Sequence, residues 1–322
     1  MTSPSRKCET LSLVVPVYNE SGNISRFIER VDESLSGEDA PQWEIIFVND
    51  GSQDDTLEVL LKACSSDKRI AVVDLSRNFG KEAALTAGLD RSRGQAIVPI
   101  DVDLQHPPEI INEMISLWEL GYEVVLARRR GRDGDAMLQR GLASAFYRVH
   151  NLLAEPKIPA NVGDFRLMDR VVVEALKQLP ESRRFMKGIF AWAGFKTAQV
   201  DFDCPKRIGG KSRFSTASLW NFALEGLTSF STSLLRAWTY LGFAVAFVAF
   251  LYAAWITVRT MFFGIDVPGY ASLAVMMMFL GGVQLVGIGI IGEYLGRTYV
   301  EAKRRPVYLV RGLYGFNDIG TS

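Results

Sequence analysis

The sequence predicts a mainly parallel, doubly wound α/β sheet that runs into a pair of membrane-spanning helices. Three observations carry this expectation. Short apolar runs alternate with charged, helix-spaced segments as far as about Gly210. Polar residues punctuate the ends of several of those runs. Beyond Leu234 the chain turns strongly apolar, with two long stretches free of charge.

The elements follow in order. "LSLVVPVYNE" reads as a buried strand ending in a turn, and Ile24 to Leu35 has helical spacing. "WEIIFVNDGS" is a second strand, whose turn offers Ser52 or Asp54 as the cap of a helix over "DDTLEVLLKAC". "IAVVDLS" is a third strand and "KEAALTAGLDRS" a third helix. "QAIVPID" is a fourth strand, and the prolines of "HPPE" suit the start of the helix that follows. "YEVVLA" is a fifth strand.

Ala237 to Val258 and Val267 to Gly292 contain no charged residue, and each exceeds the roughly 20 residues that a spanning helix needs. Spans are expected at about 237–259 and 269–292. Arg207, Lys211, Arg213 and Arg236 precede the first, and Arg297, Lys303, Arg304, Arg305 and Arg311 follow the second. Positive flanks stay cytoplasmic, so the amino-terminal domain and the tail are both expected there. Tyr252, Trp255 and Trp238 offer interface anchors. The division reads as a cytosolic domain over 1–210, a juxtamembrane segment over 211–233, a hairpin over 234–298 and a tail over 299–322. In the juxtamembrane segment Leu219, Trp220, Phe222, Ala223, Leu227 and Phe230 approximate one helical face. That face suits either the membrane surface or the soluble domain. Gly281, Gly282, Gly287, Gly289 and Gly292 permit close helix contact, which makes a homo-oligomer an expectation.

Composition narrows the class. The 322 residues carry 36 basic and 36 acidic side chains, so charge gives no reason to expect a nucleic-acid partner. Cys8, Cys64 and Cys204 are far apart and odd in number, which suits a reducing compartment. The first ten residues lack an apolar core, so no secretory signal is expected. No GxGxxG follows the first strand and no GxxxxGK[ST] occurs, which disfavours a dinucleotide fold or a P-loop ATPase.

In such sheets ligands bind beyond the carboxyl ends of the strands. Tyr18, Asn19 and Glu20 collect there, as do Asn49, Asp50 and Ser52, and Asp101 with Asp103. If the chain stays extended through Val102, Asp101 and Asp103 face the same way. Two neighbouring carboxylates repel, and a divalent cation removes that conflict. Mg²⁺ takes one or two carboxylates plus substrate phosphates and water, so the pair suits a metal bridging protein and diphosphate. The competing reading is a turn in which one aspartate caps the next helix.

"VVPVYNE", "VNDGSQDDT" and "IDVDLQ", in this order, resemble the family 2 nucleotide-sugar glycosyltransferases with a GT-A fold. "RNFGKEAALTAGLD", "NVGDFRLMDR", "FMKGIFAW", "WNFALEGLTSFST" and "GIGIIGEYLGR" narrow the resemblance to the polyisoprenyl-phosphate glycosyltransferases, and within them to the bactoprenol glucosyltransferases of O-antigen glucosylation systems. The resemblance covers nearly the whole chain. It implies inverting transfer of a hexose, glucose above all, from a UDP-sugar to undecaprenyl (polyprenyl) phosphate. It also implies a Mg²⁺ or Mn²⁺ cofactor and a place in the bacterial inner (plasma) membrane with the chemistry on the cytoplasmic side. Sister enzymes using GDP-mannose or an aminoarabinose donor share the early motifs. A membrane-anchored binding protein or transporter subunit would keep the spans without needing the aspartate pair.

The resemblance assigns residues in turn. Pro16, Tyr18, Glu20, Asp50 and Ser52 would hold the nucleotide, with Tyr18 against the base and Asp50 accepting from its ring nitrogen. Asp101 and Asp103 would bind metal and diphosphate, with Gln105 nearby and Asp103 counted as catalytic. His106 stands where relatives often carry Asp or Asn, and is read as a loop residue. Asp164 matches a base or acceptor-side carboxylate; a helix cap or a partner of Arg166 is the other reading. An ionised phosphate acceptor needs little proton removal, so positioning is the favoured role. Lys206, Arg207, Lys211, Ser212 and Arg213 would dock the acceptor phosphate, or serve as a basic cluster facing anionic lipid. Arg128, Arg129 and Arg130 fit either a donor contact or a solvated loop. Lys81 is read as a local cap.

Overall fold

A computed structural model describes residues 6–37, 40–129, 162–179, 194–202, 233–263 and 269–316. Within them β1 (Thr10–Val17), β2 (Gln42–Asn49), β3 (Ile70–Leu75) and β4 (Ala96–Pro99) alternate with α1 (Ile24–Ser34), α2 (Thr56–Ser66), α3 (Lys81–Arg91) and α4 (Ile110–Glu119). β5 (Val124–Arg129), β6 (Val162–Asp169), α5 (Arg170–Lys177) and β7 (Thr197–Phe202) follow. Two long helices, α6 (Ser233–Phe263) and α7 (Tyr270–Ala302), precede a last strand, β8 (Val310–Tyr314).

The strands form one sheet in the order β7-β5-β6-β4-β1-β2-β3-β8. β1 lies at its centre, parallel to β2 and β4, with Leu13 opposite Ile45 on one side and Val98 on the other. Such a strand is covered on both faces and therefore reads as a continuous apolar run, as Leu11 to Val15 does. Ser12 sits within that run. Its hydroxyl donates to Glu44 at 2.5 Å and accepts the Gly94 N–H at 2.7 Å, which satisfies its burial.

The helices bury the residues their spacing selects. α1 presents Ile24, Phe27 and Val31, and α4 presents Ile111, Met114, Ile115 and Trp118. α3 differs, because every residue from Ala83 to Leu89 is buried. It lies tightly on β1: a Cβ at Gly88 would come within 2.3 Å of Val14 Cγ1. α4 starts directly after Pro107, Pro108 and Glu109, as expected. Asp54, not Ser52, serves the start of α2 by accepting from the Thr56 N–H at 3.1 Å.

Three strands lie outside the sequence reading. β6 inserts between β4 and β5 and runs antiparallel to both. β7 extends the sheet beside β5, and β8 brings the tail back antiparallel to β3. β8 covers an edge that would otherwise leave its N–H and C=O groups unpaired. Tyr308, Val310 and Phe316 pack against the cluster of Val48, Val73 and Ala84, and the Tyr308 hydroxyl donates to Asp90 at 2.7 Å.

The expected spans coincide, to within a residue, with parts of α6 and α7. Among the described residues one helical stretch, Phe279–Ala302 of 24 residues, is long and apolar enough to cross a membrane. The two helices touch where Trp238 lies on Gly287, so Trp238 is an interhelical contact. Tyr252 and Trp255 are exposed and stack on each other at 5.9 Å. The juxtamembrane face and Cys204 lie outside the described residues, while Cys8 and Cys64 are free thiols.

The fit of α3 on β1 gives a test. Gly88→Ala is expected to cost about 1–3 kcal/mol through overpacking, read as a lowered thermal midpoint.

Candidate active site

The carboxyl ends of β1, β2 and β4 bring their turns to one edge, and hydrogen bonds tie those turns together. Asn19, at φ 56°, donates its N–H to the Ser52 hydroxyl at 3.0 Å and accepts the Gln53 N–H at 2.8 Å. The Glu20 N–H donates to the Thr56 hydroxyl at 2.9 Å, and the Glu20 carboxylate accepts from Asn23 at 2.5 Å. Asn49 donates to the buried Asp74 at 2.8 Å and accepts the Ser52 N–H at 3.2 Å.

Asp50 is buried at the centre of this edge. Its two oxygens accept the Phe79 N–H at 2.7 Å and the Gly80 N–H at 2.9 Å. Burial pushes its carboxyl above the ordinary carboxylate range, and those two N–H bonds pull it partly back. Gly51 makes the approach possible. At φ +65° it avoids strain, and a Cβ there would lie 2.4 Å from the Arg77 carbonyl carbon. Together Asp50 and Gly51 hold the Arg77–Gly80 loop, and that loop launches α3 from Lys81.

Lys81 is consequently not a cap. Its ammonium lies 2.7 Å from Asp101 Oδ1 and 3.1 Å from Asp164 Oδ2, joining the β4 turn to β6. Burial works against its charge, but the two carboxylates outweigh it and raise the Lys81 pKa. Arg166 is buried beside them and donates to the Gly163 carbonyl at 2.7 Å. Burial pushes the Arg166 guanidinium down to about 10, opposed by Asp164 and Glu82.

The premise of an extended Val102 does not hold. β4 ends at Pro99, the chain turns at Val102 and Asp103, and Leu104 takes φ 56°. Val102 is buried, and its burial turns the chain so that Asp103 is carried to the exposed tip. There Asp103 accepts from the Gln105 N–H at 3.1 Å and from its side-chain amide at 2.6 Å. Asp101 and Asp103 still share one neighbourhood, since both act electrostatically on His106.

His106 is more than a loop residue. Its ring packs 4.9 Å from Phe165 and 5.8 Å from Phe202, with Nδ1 3.9 Å from Asp101. Burial lowers its pKa, so the ring stands there as a neutral wall of the site.

Of the remaining expected residues, Pro16 is the penultimate residue of β1 and Tyr18 stands exposed just beyond it. Arg128 forms a bidentate pair with Asp201 at 2.6 and 2.9 Å, which accounts for it as a contact between β5 and β7. Arg130, Lys206, Arg207, Lys211, Ser212 and Arg213 lie outside the described residues. Sequence reasoning passed over Lys81 and His106. The signal for Lys81 was present: a lysine opens a helix where the dipole disfavours positive charge.

The mainly parallel sheet, its turns gathered around an acidic tip, is an α/β fold of the GT-A kind. The model of the family described as "Glycosyl transferase family 2" matches residues 12–177, and the chain belongs to that family. It is 50% identical over 301 residues to the prophage bactoprenol glucosyl transferase homolog of Escherichia coli (strain K12), covering 94% of this chain and 98% of that one. The bactoprenol glucosyl transferase of Shigella phage SfV matches equally, at 50% identity over 94% of this chain and 98% of its own. Among solved structures, glucosyl-3-phosphoglycerate synthase from Mycobacterium tuberculosis is 20% identical with a TM-score of 0.48, over 71% of this chain and 79% of that one.

Asp50→Ala is expected to release the Arg77–Gly80 loop at a cost of about 1–3 kcal/mol. The Phe79 and Gly80 amides should then exchange with deuterium faster than those of β1.

Proposed function

We propose that this protein transfers glucose, with inversion, from UDP-glucose to a polyprenyl phosphate of the undecaprenyl class at the cytoplasmic face of a bacterial inner membrane. The observation that carries the reading is the 50% identity to bactoprenol glucosyl transferases over 94% of the chain, which takes in the acidic tip and both long helices. The domain division at 210, 233 and 298 belongs to the same reading, as does a hairpin in which α6 accompanies α7 across the bilayer. A soluble sheet with a membrane hairpin suits a donor that is free in the cytosol and an acceptor that cannot leave the lipid.

The donor set fits a hard divalent cation. Asp101 and Asp103 offer carboxylate oxygens, and Asp103 is engaged by the uncharged amides of Gln105. Among the described residues no cluster of three or more metal-ligating side chains occurs. Diphosphate oxygens and water would supply the other ligands of such an ion. The chemistry that Mg²⁺ or Mn²⁺ supplies in such a place is neutralisation of the departing nucleotide diphosphate.

The chain's own groups do the rest. Pro16, Tyr18, Glu20, Asp50 and Ser52 frame the nucleotide, with Asp50 acting through the loop it anchors. Lys206, Arg207, Lys211, Ser212 and Arg213 dock the acceptor phosphate from the membrane side. Its oxygen attacks the anomeric carbon, and the bond from that carbon to the diphosphate oxygen breaks. Asp164 orients the reacting groups.

The test is to incubate the purified protein with UDP-[¹⁴C]glucose, polyprenyl phosphate and Mg²⁺ or Mn²⁺, then extract the lipid. Label should enter the organic phase with the wild type and be lost with Asp103→Ala, whose thermal midpoint should match the wild type. Donor hydrolysis without labelled lipid would refute the acceptor. Asp164→Asn should lower turnover by about 10²-fold, within the range for a misplaced reactant, with no change in the shape of the pH profile. Loss in the variant of a limb present in the wild-type profile would assign it proton transfer instead.

A further inference from the structure

Lys81 holds a position that helix stability does not explain. It opens α3, where the helix dipole favours anions, and no cap requires its ammonium. The loop before it is fixed by Asp50 through the Phe79 and Gly80 amides, so the ammonium is delivered to one place. In that place it contacts both Asp101 oxygens, at 2.7 and 2.9 Å, together with Asp164 Oδ2 at 3.1 Å. Asp101 is one of the two carboxylates that suit a divalent cation. A lysine ammonium and a divalent cation cannot share the same oxygens without strong repulsion.

We propose that Lys81 is a positioning residue that competes with the divalent cation for Asp101, so that the cation binds well only together with the nucleotide diphosphate. Without a donor, Lys81 offsets part of the charge of Asp101 and Asp164 and ties the turn after β4 to β6. A diphosphate brings oxygens that pair with the ammonium and others that complete the coordination of the ion. Lys81 then exchanges Asp101 for the diphosphate and remains beside the leaving group. Because binding couplings are reciprocal, nucleotide and metal each tighten the other by the same factor. The inference rests on the transferase reading for the diphosphate, but not on the lipid acceptor.

The experiment measures Mn²⁺ binding to the full-length, detergent-solubilised protein by electron paramagnetic resonance, with and without UDP. The wild type should bind Mn²⁺ alone weakly and at least tenfold more tightly with UDP. Lys81→Gln, which removes the charge and keeps a hydrogen-bond donor on a side chain one atom shorter, should bind Mn²⁺ alone at least tenfold more tightly than the wild type. The gain from UDP should shrink correspondingly. Lys81→Arg should retain the wild-type pattern. Circular dichroism establishes that each variant is folded; if Lys81→Gln is not, Lys81→Met takes its place. Unchanged or weaker Mn²⁺ binding in the charge-removing variant overturns the proposal. Lipid labelling by the wild type alongside such a result would leave the transferase reading standing, whereas the expected Mn²⁺ pattern without labelling would reject only the acceptor.

Discussion

The organisation of the site depends on one buried carboxylate. Turns at the end of a sheet leave backbone N–H groups that must find acceptors, and a loop that approaches from another strand brings more. Asp50 answers the second need by accepting the Phe79 and Gly80 amides, and Gly51 lets the two backbones meet. Asn49 beside it fixes Ser52, and Ser52 fixes Asn19. The turns after β1 and β2 and the start of α3 are thus bonded to one another. The position of Lys81, and with it the charge balance of Asp101 and Asp164, follows from that bonding.

The tail extends the same network. Arg311 donates to the Ser76 carbonyl at 2.6 Å, and its guanidinium stands 3.9 Å from Asp74. Asp74 in turn accepts from Asn49. The strand that follows the last long helix is therefore bonded, through Asp74, to the turn that carries Asp50.

The part of the fold that was legible in the sequence is the part built from local signals. β1 to β4 are buried apolar runs ending in polar turns, and α1 and α4 carry their apolar stripes at helical spacing. β6 hid because "VGDFRLMD" places Asp164 and Arg166 in a strand, where pairing with β4 and β5 outweighs composition. β8 hid because "VRGLY" is five residues long and gains its structure only at a distant edge. In the site, the acidic pair and Asp164 were visible as motifs, but their geometry was not. Burial of Val102 turns the chain where extension was assumed, and the partners of Lys81 lie on other elements, Asp101 being 20 residues away.

The pairing of Asp164 with Lys81 bears on what kind of chemistry this edge can perform. A sugar hydroxyl must lose a proton as it attacks, and an enzyme acting on one needs a base with a free, well-aimed oxygen. A phosphate monoester has its second pKa near ~6 and arrives largely ionised. Asp164 spends Oδ2 on an ammonium and stands beside the buried Arg166. An ammonium and a guanidinium thus flank this one carboxylate and fix where its charge stands. On the proposed reading, an acceptor that brings its own negative charge suits this edge, because its oxygen needs no base before it attacks.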